Sequence, residues 1–218
     1  MRTTTLKSHL LAVLMLLTGI SAFAYDFEYE GLYYNILSEE DKTVEVTYQK
    51  CLIGPTYSYC NPAAIGNVEI PSKVLFKSKT YHVIAIGIYA FRNDEGYGNR
   101  LTSVTIPNSV TSIDHMAFKG CSDLIDIHVD SDNQYYSSID GILFNKDVTI
   151  LIKCPEKKEL VVIPNSVTSI GYMAFYYCRG LTSLTIGNST SIGNYAFCGC
   201  SRLASVTIGN SETIGNSM

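Results

Sequence analysis

The chain has 218 residues, with 16 lysines and arginines against 20 aspartates and glutamates, a net charge of −4. Arg2 and Lys7 are the only formal charges among the first 24 positions, so the rest of the chain is more acidic still. That balance excludes the basic footprint nucleic acid requires and argues against electrostatic docking on anionic lipid.

At the amino end, Arg2 and Lys7 precede an apolar stretch at 10–17, and Ala22-Phe23-Ala24 fits a small-x-small cleavage site. The segment reads as a secretory signal peptide cleaved after Ala24, its apolar run too short to span a bilayer. The next cysteine is Cys51, which speaks against a lipid-anchored amino terminus. The expectation is a secreted or cell-surface protein with no membrane span.

Residues 25–81 read as a β-rich cap built around a hairpin. Glu30-Gly-Leu-Tyr-Tyr-Asn35 echoes Asp140-Gly-Ile-Leu-Phe-Asn145 further on, and 42–50 supplies a partner strand. The stretch 51–67 carries Gly54-Pro55, Tyr57, Tyr59 and Asn61-Pro62 and reads as a loop. Cys51 and Cys60 flank that loop and are the pair best placed for a disulfide. A second loop is expected at 91–100.

From 82 to 218 the chain repeats itself. Ile-Pro-Asn-Ser-Val-Thr-Ser-Ile occupies 106–113, followed by Ala117, Phe118 and Cys121, and returns at 163–170 with Ala174, Phe175 and Cys178. A looser copy fills 186–192, with Ala196, Phe197 and Cys200. Leu101 to Leu124 sets a period of 23 residues, and Leu181 to Leu203 one of 22. Such periods mean a solenoid whose units cannot stand alone, because burying one unit's few apolar side chains does not offset ordering it. Val104 and Ile106 alternate with Ser103 and Thr105, the mark of a strand with one buried face, which Pro107 should end. The Ser-Ile pairs ending at Ile113, Ile170 and Ile192 read as a return strand or turn, and the Ala-Phe segment as at most one helical turn. An elaborated unit at 124–159 should carry two strands joined by a hairpin, 139–144 with 149–153. The apolar positions of the units at 101 and 160 are expected to share one core.

These residues resemble the BspA-like leucine-rich-repeat family of bacterial surface proteins. The resemblance rests on Leu101-Thr-Ser-Val-Thr-Ile-Pro-Asn-Ser-Val-Thr-Ser-Ile, on Ala117-Phe118-Lys-Gly-Cys121 and their later copies, and on 136–155. It implies a right-handed β-rich solenoid with one short strand per unit, and an exported, non-enzymatic binding or adhesion protein without cofactor. One departure is notable: where better-known leucine-rich repeats place a capping Asn, this chain has Ser109, Ser166, Ser189 and Ser211.

Other chemistry is sparse. Cys121, Cys178 and Cys200 share a repeat position beside Phe and read as buried thiols; coil spacing would let neighbours bridge, but parallel side chains disfavour it. Cys198 should be exposed, and His115 and His128 should be surface residues. Asp130-Ser-Asp-Asn133 opens like a calcium loop, but Tyr135 and Gly141 stand where glycine and glutamate are required, so an ordinary turn is expected and no metal. Acidic residues sit singly in turns, which speaks against a paired-carboxylate glycosidase.

Outward strand positions should align into two columns. One holds Thr105, His128, Val162, Thr185 and Thr207, the other Ser103, Asp126, Leu160, Ser183 and Ser205. Such columns serve sheet packing or form a weakly charged platform for a protein or glycan surface, with Tyr57 and Tyr59 on a flanking loop. The alternative function is a truncated structural or decoy repeat with no partner. The last unit follows its Ile214-Gly215-Asn216 with Ser217 and Met218 rather than Ala-Phe, so 203–218 is expected to fray or to bury itself by end-to-end self-association.

Overall fold

The computed structural model describes residues 25–53, 56–60, 64–93, 100–187, 190–209 and 212–214, with backbone alone at 50–53, 56–60, 208 and 212–214. The expected leader, residues 1–24, lies outside the described residues, as does most of the 91–100 segment.

The chain opens with a three-stranded antiparallel meander: β1 (Phe27–Tyr29), β2 (Leu32–Ser38) and β3 (Thr43–Thr47). The β1–β2 turn holds Glu30 and Gly31 at φ of 48° and 83°, the left-handed pair a two-residue hairpin demands. Next come β4 (Gln49–Ile53) and β5 (Thr56–Cys60), an antiparallel hairpin, and then β6 (Ile65–Glu69). The stretch read as a loop is therefore mostly strand among its described residues; Gly54-Pro55 and Asn61-Pro62 lie outside them. Register sets Cys51 opposite Ser58 and Cys60 opposite Gln49, and both side chains lie outside the described residues.

A second hairpin, β7 (Lys73–Phe76) with β8 (Lys79–Ile86), leads into β9 (Arg100–Ile106), β10 (Ser112–Ile113) and β11 (Asp126–Val129). Two parallel ladders result. One runs β6, β9, β11 and the other β3, β8, β10. Both start inside the stretch 25–81, at Ile65 and Thr43.

The second half restates this plan. β12 (Tyr136–Ile139), β13 (Ile142–Asn145) and β14 (Ile150–Lys153) form another antiparallel meander, turned at Asp140 and Gly141 with φ of 50° and 70°. The elaborated unit thus has three strands where two were expected, because the Asp-Gly turn splits the first. Its last strand feeds the return ladder β14, β15 (Ser169–Ile170) and β17 (Ser191–Ile192). Between them β16 (Ser183–Ile186) pairs with β18 (Ser205–Ile208), onto which β19 (Glu212–Ile214) folds back antiparallel. Ile214 was expected in the return column; it faces Val206 instead. Leu160 and Val162, expected on a strand, lie in a segment that is not one.

Among the described residues there is no helix. The Ala-Phe segment is a chain of tight turns, as where Ala117 N–H donates to Asp114 O and Lys119 N–H to Met116 O. The apolar side chains gather into two clusters rather than one. Leu101, Val104, Ile106, Val110 and Phe118 fill the first, with Ile113 at its margin; Val167, Ile170 and Phe175 fill the second, with Val161 and Ile163 at its margin. Phe118 and Phe175 are buried, so the repeat register holds, with stacked pairs Phe91–Phe118 and Phe175–Phe197 at 5.4 and 5.2 Å. β13 sits between the clusters: Leu143 packs in the first, Ile142 and Phe144 in the second.

Candidate functional site

Two outward strand faces are the surfaces the repeat builds. On the first, β9 and β11 run in register, with Ser103 beside Asp126 and Thr105 beside His128. On the second, Ser183 stands beside Ser205 and Thr185 beside Thr207. Each quartet is brought together as the period requires. The two quartets do not share a ladder, because Ile127 N–H, on the far side of β11, donates to Gly141 O of the second meander. Val162 and Leu160, the expected link, are 83% and 82% exposed. Tyr57 and Tyr59 lie on β5, their side chains outside the described residues.

The first face extends one strand further than the sequence reading took it. β6 sets Asn67 beside Ser103 and Glu69 beside Thr105. Asn67 Oδ1 accepts hydrogen bonds from Thr102 Oγ1 at 3.1 Å and Ser103 Oγ at 2.9 Å. The signal was present, since Val68-Glu-Ile70-Pro71 matches Val104-Thr-Ile106-Pro107, but β7 and the first residues of β8 separate it from its return pair, Ala85-Ile86. At the other margin, Lys158 Nζ is 3.5 Å from carboxylate oxygens of both Asp126 and Asp140, and Lys157 Nζ is 3.3 Å from Asp123. Asp126 is thus locally balanced, leaving a polar face of small net charge.

The turns that follow the return strands β10, β15 and β17 carry an aromatic row that periodicity did not announce. His115, Tyr172 and Tyr195 are exposed, their rings edge-on at 4.8 and 6.0 Å. His115 and Tyr172 share one repeat position and Tyr195 holds the next, which hid the row from column counting. A shallow groove of about 460 Å³ beside it is lined by Glu45, Ile88, Asp114 and His115.

Beneath these faces the chemistry is structural. Cys121 Sγ donates to Phe91 O and Cys200 Sγ to Phe175 O, each at 2.9 Å and each one coil back. Cys178 Sγ points to the carbonyls of Cys154 and Pro155, which stand where the missing coil's Phe would be. Burial pushes the Cys200 thiol up to about 12 and the Cys121 thiol higher still; the contact with Cys154, then burial, does the same for Cys178. These thiols stay protonated and inert. Cys198 is exposed. At the junction of the halves, Lys153 and Glu156 are buried with Nζ and Oε1 3.8 Å apart, and Glu156 Oε1 accepts from Gly120 N–H at 2.9 Å. Burial holds the Glu156 carboxyl above the usual range, against the pull of Lys153.

Asp130 and Asn133 make a turn: Asp130 Oδ1 accepts from Asp132 N–H, while Asn133 is wholly buried with its amide directed inward. Among the described residues no three His, Cys, Asp or Glu side chains gather as metal ligands.

A family model described as a BspA type leucine rich repeat region matches 53–157 and 152–218, in six copies. No curated protein matches. Among solved structures, a leucine-rich repeat protein from Bacteroides ovatus is 26% identical with a TM-score of 0.51, over 84% of this chain and 41% of that one. One from Eubacterium ventriosum is 24% identical, TM-score 0.49, over 66% and 42%. A leucine rich cell surface protein from Faecalibacterium prausnitzii is 18% identical, TM-score 0.46, over 84% and 76%. The chain spans less than half the length of the first two.

Proposed function

Because this chain belongs to the BspA-type leucine-rich-repeat family, we propose that it is an exported, non-enzymatic binding or adhesion protein that engages a protein or glycan surface through its outward strand faces. The observation that carries the reading is the registered placement of Ser103, Thr105, Asp126 and His128 on one sheet and Ser183, Thr185, Ser205 and Thr207 on another. A flat face of hydroxyls with balanced charge suits a neutral, hydrogen-bonding partner better than a polyanion. Export rests on the leader pattern, so the released protein should begin at Tyr25 on amino-terminal sequencing.

The face is tested by presenting the protein to immobilised extracellular-matrix proteins and to a glycan array. Thr105→Glu with His128→Glu extends the row begun by Glu69 to three carboxylates side by side on the first face without touching the core. Its binding to whichever array member the native protein captures should fall at least tenfold, while its far-ultraviolet circular dichroism stays native and its melting temperature falls only slightly. Full retention would remove the first face from the reading.

A further inference from the structure

The two halves share one plan of meander and ladders, and they part company at the upstream edge of the outward strand. In the first half, Thr102 and Ile106 carbonyls accept from the downstream side, at Ile125 and Asp130. The alternate residues Ser103 and Thr105 therefore face upstream to β6, and Ile70 N–H donates to Thr105 O at 3.0 Å. In the second half, Thr182 and Ile186 carbonyls likewise accept from Ala204 and Gly209 downstream. Ser183 and Thr185, the counterparts of Ser103 and Thr105, therefore face upstream too. Their neighbour there is 159–163, the counterpart of β6, with Val161 and Ile163 in the places of Val68 and Ile70. No hydrogen bond joins that segment to β16.

A groove of about 560 Å³ lies between them, with Val161, Val162 and Ile163 on one wall and Ser183, Thr185 and Gly187 on the other. No charged side chain lines it. Val162 on its wall and Leu160 just ahead of the groove replace Glu69 and Asn67 of the first half, and both are more than four-fifths exposed. Natural sheets blunt open edges with charge or proline; this edge is bordered by bare aliphatic side chains.

We propose that the open edge of β16 receives an extended, uncharged peptide strand from another polypeptide, which completes the ladder as β6 does in the first half. Main-chain groups of Ser183 and Thr185 would supply register and hydrogen bonds, and the aliphatic rim would select a β-branched or aliphatic side chain at alternate positions. Absence of charge in the groove excludes an acidic or basic segment as the preferred guest. The inference stands apart from the outward-face reading, since it uses an edge and not a face.

The test is a titration of the full, isotope-labelled protein with a capped pentapeptide of alternating threonine and valine. At saturation the Ser183 and Thr185 amides should exchange at least tenfold more slowly. The same peptide N-methylated at alternate residues should leave them unchanged. Leu160→Asn with Val162→Glu, which restores the first half's side chains at exposed positions, should weaken binding at least tenfold at an unchanged melting temperature. Thr185→Pro removes one upstream donor while sparing the bonds to β18, and should have the same effect. Failure of the peptide to slow these amides overturns the proposal. So does slow exchange in a dilute peptide-free monomer, which would mean that 159–163 closes the slot itself. Protection that rises with protein concentration alone would assign the slot to a second copy and overturn it as well. None of these results touches the array binding of the Thr105→Glu, His128→Glu protein, so the two readings fail separately.

Discussion

Single side chains close the coils, and they are not the ones a leucine-rich pattern leads one to expect. The carbonyls of Val83, Val110 and Val167 occupy one repeat position. Ser109 Oγ donates to the first at 2.7 Å, Asn133 Nδ2 to the second at 2.9 Å, and Thr190 Oγ1 to the third at 3.4 Å. Asn133 also donates to Pro107 O and accepts from the N–H groups of Tyr135 and Tyr136. Asn133→Ala should therefore cost at least about 3 kcal/mol in chemical unfolding, since it strands several buried backbone groups. Glu156 makes a second residue-scale prediction. Its folded-state pKa is raised, so its contribution to stability is full below the ordinary glutamate range and is lost as pH rises through the folded value. The stability of the native protein relative to Glu156→Gln should thus fall as pH rises from the ordinary glutamate range towards neutrality; a rising difference would reverse the assignment. Neither role could be read from the sequence. Asn133 sits in a turn-rich run whose buried partners lie 23 and 26 residues away, and no local pattern marks Glu156 as the carboxylate that goes inside.

Among elements, β13 has the unusual position. Its Ile142, Leu143 and Phe144 are all buried, alternately into two clusters, so the strand shows an unbroken apolar run and no alternation. Leu143→Ala should cost about 2–5 kcal/mol and Phe144→Ala about 3–5 kcal/mol. Amide exchange should separate them, the first loosening Val104 and the second loosening Leu184. The clean repeats were legible because burial on one face writes itself as Val-x-Ile. The Asp140-Gly141 pair carries hairpin chemistry, yet the sequence reading runs one strand through it, because the apolar residues on either side look continuous. What escaped was every case in which pairing, not pattern, decides: 159–163 carries the inward residues of a strand and is left unpaired, while 51–67 carries turn signals and is largely strand. The outward quartets were legible in register but not in continuity, because whether the second meander displaces a ladder bond depends on a contact from Gly141 to Ile127. That contact leaves no room for a side chain, since a Cβ on Gly141 would stand 2.1 Å from Asp126 Oδ1 at a φ of 70°. Gly141→Ala should accordingly lower the melting temperature and release His128 from its place beside Thr105.

For the molecule as a whole, the unit that repeats is longer than 23 residues. A meander whose third strand enters a return ladder, followed by parallel strands on the opposite ladder, occurs twice in the same order. The second meander ends one stack and begins another, and the buried thiols fall on both sides of it. Cys121 lies in the first cluster; Cys154, Cys178 and Cys200 lie in the second; Cys198 is outside both. This makes the cysteines a built-in chronometer of the fold. A thiol-specific dye added to the native protein would modify Cys198 at once, while Cys121, Cys154, Cys178 and Cys200 would each wait for their own cluster to breathe. The order in which Cys121 and the Cys178–Cys200 pair lose their silence would then show, without any introduced probe, which of the two stacks opens first and whether either opens alone.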